Sequence, residues 1–308
     1  MKRTAALLCL SLLTFAPAFG QAPSPASFEE AMVLFQDGHY ADARPIAVTY
    51  ADKQDTRAYL MLGTMSQKGL GVEVDISQAE AWYSKGAEKG DVDCQLALAL
   101  LFLTGSGKKP NVDDGAPWLR KAAEAGNVKA QYNFGLFYTG IYGPAPDWDN
   151  AAKWFKLAAG RDYARAQYNL ALLYIDGKGV PRDQVAAAAL FAKAATQGMP
   201  QAALEYGVMV FRGEGVAKDE VVGARWLLIA AQHGNAVAQN RLARILGLGV
   251  PGVPQDPIEA MKWNFIAKKA GRGDVELDSA TEKADAGMVK DAQARADAFK
   301  PLPDRTPD

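Results

Sequence analysis

The chain has 308 residues, with 34 lysines and arginines against 35 acids and a formal net charge of −1. No cluster of basic residues supplies the surface that nucleic acids require, so we expect no nucleic-acid binding. The two histidines, His39 and His233, have no histidine or cysteine at metal-ligand spacing, so we expect no metal site. The two cysteines, Cys9 and Cys94, do not indicate a disulfide framework.

The first 20 residues have the pattern of a secretory signal peptide. Lys2 and Arg3 precede about twelve mostly apolar residues, and Ala18-Phe19-Gly20 offers a small-x-small cleavage site. This apolar run is too short for a membrane span, which needs about 20 residues, and no later run comes closer. We therefore predict export of a soluble chain to the periplasm, with secretion as the alternative.

From residue 58 onward the sequence repeats with a period of 36 residues. Tryptophans 82, 118, 154 and 226 lie on this period, and Leu190 fills the vacant position. A small residue starts each of six units, a second small residue follows five positions later, and a turn glycine comes near position eleven. The six unit starts are Ala58, Cys94, Ala130, Ala166, Ala202 and Ala238. Such regularity predicts a repeat array.

Each unit is predicted to form a helix, a turn and a second helix. In the fourth unit, residues 166–176 and 182–197 are amphipathic with helical spacing, and the glycine-containing segment 177–181 separates them. The tryptophans are expected to lie in the core, where Trp154→Ala would cost about 3–5 kcal/mol. Cys94, where other units have alanine, is expected to be a small core residue.

The flanking segments complete the predicted organisation. Residues 22–57 read as a divergent capping pair of helices before the array, which occupies residues 58–273. Residues 274–299 are polar, rich in alanine and predicted to be C-terminal capping helices, because an open end would expose apolar surface. The Pro-rich residues 300–308 are predicted to be a disordered tail.

The fourth unit carries a family resemblance. Its run AQYNLA at 166–171, Leu173-Tyr174, the turn GKGV at 177–180 and Asp183 resemble the Sel1-like repeat, a relative of the tetratricopeptide repeat. The resemblance implies an all-α fold, a right-handed α-solenoid of stacked helix-turn-helix repeats, used as an adaptor or regulatory scaffold and frequent in bacterial envelopes. Units two and three lose the valine-ending turn, at residues 105–110 and 140–144, where we expect local specialisation.

First helices line the concave wall in tetratricopeptide-like solenoids, and the resemblance points the second, sixth and ninth positions after each unit start toward that wall. Leu103 is one such position. Apolar and aromatic surface there can anchor a peptide or an amphipathic helix, unless tight curvature buries it. The residues predicted to bind a protein partner are Leu100, Tyr132, Leu136, Tyr168, Leu172, Ile175 and Phe211.

The function we predict is that of a periplasmic protein–protein interaction scaffold or regulator of envelope proteins, which restrains a membrane sensor. We expect no enzyme activity, no catalytic residue and no cofactor. One alternative is a β-lactam hydrolase, as suggested for cysteine-rich relatives. The Ser-x-x-Lys match at Ser106 and Lys109 falls in a turn, although that mechanism needs the lysine one helical turn after the serine. The other alternative is binding of cell-wall glycan.

Overall fold

The computed structural model describes residues 27–106, 109–142, 145–304 and 306. The predicted signal peptide lies outside the described residues. The described chain forms sixteen α-helices and one isolated bridge, between Val250 and Val253. Among these helices, none combines the length and the apolar character needed to cross a membrane.

The helices pack in pairs along the chain. Two helices, α1 (Phe28–Gln36) and α2 (Tyr40–Asp52), precede the array. The array consists of six pairs, which are α3 (Thr56–Lys68) with α4 (Ile76–Glu88), α5 (Val92–Thr104) with α6 (Val112–Glu124), α7 (Val128–Tyr138) with α8 (Trp148–Ala159), α9 (Ala164–Asp176) with α10 (Gln184–Thr196), α11 (Pro200–Arg212) with α12 (Glu220–Gln232), and α13 (Ala236–Leu248) with α14 (Pro257–Lys269). Two further helices, α15 (Val275–Glu282) and α16 (Ala286–Ala298), follow.

From α1 to α14 each helix packs mainly on the helices before and after it, and α16 packs on α14, which makes the molecule an α-solenoid. The odd-numbered helices α3 to α13 are the first helices of their units, and the even-numbered α4 to α14 are the second helices. First helices of neighbouring units also approach each other directly, as α3 does α5.

Short polar residues and glycines set the helix boundaries. The side chain of Asp183 accepts hydrogen bonds from the amides of Val185 and Ala186 at 3.0 and 2.9 Å and so caps α10. Gly177 ends α9 with φ +69°, a left-handed conformation that glycine adopts without steric cost. Asp162 has φ +59° where four other units have glycine, because aspartate tolerates this conformation better than most residues.

The small residues of the repeat lie where helices approach most closely. All six unit starts, including Cys94, are fully buried. At the second small position, a Cβ added to Gly135 would lie 2.5 Å from the ring of Phe155. Glycine and alanine at these positions therefore let the large side chains of the second helices pack against the first-helix backbone.

The tryptophans of the repeat are not the core residues that the sequence predicts. Trp82, Trp118, Trp154 and Trp226 are all half-buried. The next residue in each second helix is buried instead, with at most 2% exposed, and these residues are Tyr83, Leu119, Phe155, Phe191 and Leu227. A tryptophan next to such a position reaches the edge of the contact between units, where part of its ring stays in water.

Buried glutamines link successive helix pairs. Each occupies the position after the unit start, and its side-chain amide donates to the carbonyl of the residue eight positions earlier, in the preceding second helix. These pairs are Gln95 with Ala87 (3.4 Å), Gln131 with Ala123 (3.3 Å), Gln167 with Ala159 (3.4 Å) and Gln239 with Ala231 (3.0 Å). Each of these carbonyls at the end of a second helix also accepts from the backbone amide three positions later, so the glutamine is a second donor that ties the next unit to it.

The C-terminal end of the array is closed by polar contacts. Asn264 of α14 is fully buried and follows Trp263, as the large apolar residues follow tryptophan in earlier units. Its Nδ2 donates to Asp278 at 2.9 Å, and its Oδ1 accepts from the amide of Asp274 at 2.8 Å. Helix α16 packs on α14, where it covers the face that a further unit would use.

The tail predicted to be disordered, residues 300–308, is described at residues 300–304 and 306, and its first residues contact the array. The amide of Leu302 donates to the carbonyl of Gln232 at 2.9 Å, and the ring of Phe299, just before the tail, packs edge-on to Trp263 at 5.3 Å. Prolines stop α16 from continuing, but they also favour the extended backbone that lets this segment lie on the array.

Candidate protein-docking face

The half-buried and exposed side chains of α3, α5, α7, α9, α11 and α13 form the surface that we call the first-helix face. The residues predicted to bind a partner belong to these helices and are all half-buried: Leu100, Tyr132, Leu136, Tyr168, Leu172, Ile175 and Phe211. Leu103, expected to point the same way, is instead 2% exposed, because it packs against Gly115 of α6.

The tyrosines of the first-helix face pack against neighbouring aromatic rings and also stay partly exposed. Tyr132 packs against Tyr163 and Phe155, with ring centroids 5.2 and 5.8 Å apart, and its hydroxyl accepts from Asn169 at 3.4 Å. Tyr168 packs on Phe191 at 5.5 Å. Burial raises the pKa of both tyrosines. These rings are therefore fixed by their neighbours and present one edge each to the surface.

A column of polar residues runs along the same face at the third position after each unit start. Its members, spaced by 36 residues, are Asn133, Asn169, Glu205 and Arg241. The prediction from sequence considered the second, sixth and ninth positions and missed this column. The repeat period carried the signal, because four successive units have a polar or charged residue where the first two have methionine and alanine.

Glu205 and Arg241 stand at the charged end of this column. Burial raises the pKa of Glu205, while the charge of Arg241 acts in the opposite direction and lowers it. The Nε atom of Arg241 is buried and has no hydrogen-bond partner in the structure. A buried donor left unpaired costs about 1–3 kcal/mol, so Arg241 is kept at this position at a cost in stability.

A groove of about 360 Å³ opens between α11 and α13 beside Arg241. Its lining combines apolar side chains with three arginines: Val208, Phe211, Arg212, Leu227, Val237, Asn240, Arg241, Arg244 and Ile245. Arg244 pairs with Asp274 and Glu276 at 3.3 and 3.4 Å, and Arg212 pairs with Glu214 at 3.4 Å. These pairs are at the rim, whereas the Arg241 guanidinium lies deeper.

A second groove, of about 440 Å³, lies at the other end of the face between α1 and α3. It is mostly apolar, with Met32, Leu60 and Met61 among its lining residues. Its charged lining residues are Glu29, Arg57 and Asp93, and Glu29 pairs with Arg57 at 3.5 Å.

The region of the Ser-x-x-Lys match lies between α5 and α6. The hydroxyl of Ser106 accepts from Gln67 Nε2 at 3.3 Å and lies 3.2 Å from the hydroxyl of Thr104. Neither Ser106 nor Lys109 belongs to a helix, so the spacing that the β-lactam mechanism requires along one helix is not formed. Across the described ranges, no group of three or more His, Cys, Asp or Glu side chains could hold a metal ion.

The paired helices define a class, the α-solenoid proteins built from helix-turn-helix repeats. Within this class the chain belongs to the Sel1 repeat family, whose repeat matches residues 56–91, 92–127, 128–163, 164–199, 200–235 and 236–265. Sel1 repeat proteins generally mediate protein–protein interaction.

Two solved structures are similar to this chain. One is c5321, a protective antigen of uropathogenic Escherichia coli strains with an SLR fold, at 25% identity and a TM-score of 0.73. The match covers 88% of this chain and 61% of that one, so this chain spans less than two thirds of its length. The other is a Sel1 repeat protein from Oxalobacter formigenes, at 28% identity and a TM-score of 0.67, covering 78% and 96% of the two chains. No curated protein matches.

Proposed function

We propose that this chain is an exported scaffold whose first-helix face binds an acidic segment of a partner protein. The observation that carries the proposal is the groove between α11 and α13, in which apolar side chains surround the unpartnered guanidinium nitrogen of Arg241. A carboxylate of the partner would face the positive charge of Arg241 where this side chain lines the groove, and an apolar neighbour would contact Phe211 and Val208. Arginine is well suited to planar recognition of carboxylates.

The partner we propose is an envelope protein, and a membrane sensor that the scaffold restrains is the specific candidate. Two observations support this choice. The signal-peptide pattern of residues 1–20 favours export, and the Sel1 family is one of interaction scaffolds. The seven residues predicted from sequence extend the same face from α5 to α11, which gives a partner room to contact several units.

Photo-crosslinking in cells tests the proposed face. A benzophenone amino acid at Asn240, in the groove, should crosslink to an envelope protein, and Arg241→Gln or Phe211→Ala should reduce that crosslink strongly. The same amino acid at Val185, exposed on second helix α10, is the matched control on another surface. Equal crosslinking from both positions, or no response to Arg241→Gln, would contradict the proposal.

Export is tested separately. Fractionation of cells, with mass spectrometry of the mature N-terminus, should find the chain outside the cytoplasm and cut after Gly20. An uncut chain retained in the cytoplasm would rule out the envelope role, while the docking face would still be open to test on purified protein.

A further inference from the structure

Residues 299–304 lie back on the array, and we call them the returning segment. Its contacts begin at Phe299, which packs on Trp263, and continue with the amide of Leu302, which donates to the carbonyl of Gln232. Between them Pro301 lies against the turn that joins α12 to α13, since a Cβ added at Gly234 would come within 3.2 Å of its ring.

A shallow cavity of about 230 Å³ lies between the segment and the array. Gln232, Lys262 and Trp263 form its wall on the array, and Phe299, Lys300 and Leu302 form its wall on the segment. The segment therefore does not fill the space beside Trp263, and 49% of Leu302 stays exposed.

The acidic end of the segment lies in a positive environment. The pKa of Asp304 lies below its ordinary value, chiefly because Thr306 donates hydrogen bonds to its carboxylate, and the charges of Arg165 and His233 lower it further. Arg165 belongs to α9, two units before the α13 unit, so the segment spans several repeats. Nδ1 of His233, in the same turn, is buried without a hydrogen-bond partner.

These contacts are sufficient to hold the segment but too few to fix it permanently. Pro301 and Pro303 restrict the backbone before it docks, so little conformational entropy is lost on docking. One backbone hydrogen bond and one half-exposed leucine form a weak site, and the covalent link supplies an effective concentration in the millimolar range. A segment held in this way can be displaced by a partner that makes additional contacts.

We propose that residues 300–304 are an internal ligand on a peptide-docking surface formed by Gln232, His233, Gly234, Lys262 and Trp263. The surface fits an extended peptide in which a leucine stands between two prolines and an acid follows two residues later. The chain's own segment covers it until a partner segment of this kind replaces it. The proposal deepens the proposed scaffold function, on which it rests for the existence of a protein partner.

A fluorescent peptide with the sequence of residues 300–306 tests the surface in trans. It is titrated against the unaltered full chain and against the Leu302→Asp chain, in which the apolar contact of the internal ligand is lost. We expect saturable binding to the variant, at least about tenfold tighter than to the unaltered chain, because the tethered segment no longer competes. A peptide carrying the same Leu302→Asp change should not bind.

Two controls separate docking from general destabilisation. Val275→Asp, at a residue that is 83% exposed, should leave the affinity for the peptide equal to that of the unaltered chain. In the Leu302→Asp background, Gly234→Ala should weaken binding several-fold because its Cβ meets Pro301, whereas Gly90→Ala should not. Both glycines have φ +86°, so the backbone strain of the two alanines is the same, and a Cβ at Gly90 meets no atom within 4 Å.

Equal affinity for the two chains, no binding to the variant, or an equal loss with Gly90→Ala would overturn the proposal. Hydrogen exchange gives a second measurement, because the Leu302 amide should exchange more slowly in the unaltered chain than in Leu302→Asp. Both measurements use purified components, so a failure here is distinguishable from a failure of crosslinking at Asn240.

Discussion

Glu205 shows how one residue can combine surface chemistry with a cost in stability. It lies on the first-helix face between Tyr168, whose pKa it helps to raise, and Arg241, whose charge favours its ionised form. Desolvation is the larger influence, so the folded protein holds the Glu205 proton more tightly than the unfolded chain does. A carboxylate kept at this cost is consistent with a role in recognition.

The first prediction concerns the pH dependence of stability. Because the folded pKa of Glu205 is raised, its contribution to the free energy of unfolding falls as the pH rises above the ordinary value of 4.5. Glu205→Gln should therefore gain stability relative to the unaltered chain as the pH rises above 4.5, measured by urea unfolding. Exposed Glu88→Gln is the control, and a gain in the opposite direction would contradict this account.

The second prediction concerns the buried glutamines. Gln239→Leu keeps the approximate size of the side chain but removes one of the two donors to the Ala231 carbonyl, which keeps its bond from the Gly234 amide, and it should cost about 0.5–1.5 kcal/mol in free energy of unfolding. Gln201→Leu, at an exposed position on α11, should change it little. Equal effects of the two substitutions would show that the hydrogen bond across the units contributes nothing measurable.

Within a helix pair, two neighbouring aromatic residues differ in burial, although the repeat pattern of the sequence does not distinguish them. Helical periodicity and the 36-residue spacing predicted the elements, and the resemblance indicated which helices form a shared face. Periodicity could not decide between Trp154 and Phe155, because both recur in the same frame and only the crossing of the helices determines which one faces the first-helix backbone. For the same reason, periodicity could not show that Leu103 packs against α6, and the sequence predicted that it faces the surface.

The third prediction follows from that difference. Phe155 is 1% exposed and packs on Gly135, so Phe155→Ala should cost about 3–5 kcal/mol through the cavity that it leaves. Trp154→Ala should cost less, since part of that ring is already in water and the neighbouring Phe134 ring can shift toward the vacated space. Urea unfolding of the two variants gives the order, and a larger loss at Trp154 would show that the tryptophan dominates the contact between units.

Over the whole molecule, stability depends on contacts between adjacent units, because distant units do not share a core. Four buried clusters follow one another along the chain, with α5 contributing to the first two and α9 to the last two. The sequence predicted this linear arrangement from the repeat alone. It could not predict the returning segment, since a short Pro-rich sequence gives no periodic signal and its docking depends on a surface built by residues far away in sequence.

The fourth prediction tests this linear organisation. Phe134, 2% exposed in α7, contacts Trp154 at 5.0 Å near the middle of the chain, so Phe134→Ala should weaken the coupling of the two halves and split urea unfolding into two transitions. Phe28→Ala, at an equally buried residue of α1, should loosen only the N-terminal end and leave one main transition. Circular dichroism with hydrogen exchange distinguishes these outcomes, and one sharp transition in both variants would mean that the array unfolds as a single unit.

The polar closure around Asn264 limits how such a protein can lengthen. Among the described residues, Asn264 already has both of its polar atoms hydrogen-bonded, and α16 packs on α14, so another repeat could not stack on α14 in register without displacing α16. Growth during evolution is therefore expected by duplication of internal repeats, and head-to-tail fibres are disfavoured at this end. A designer who wants a longer recognition surface should insert a copy of residues 164–199, the repeat with the most regular turn, and leave everything after residue 256 untouched.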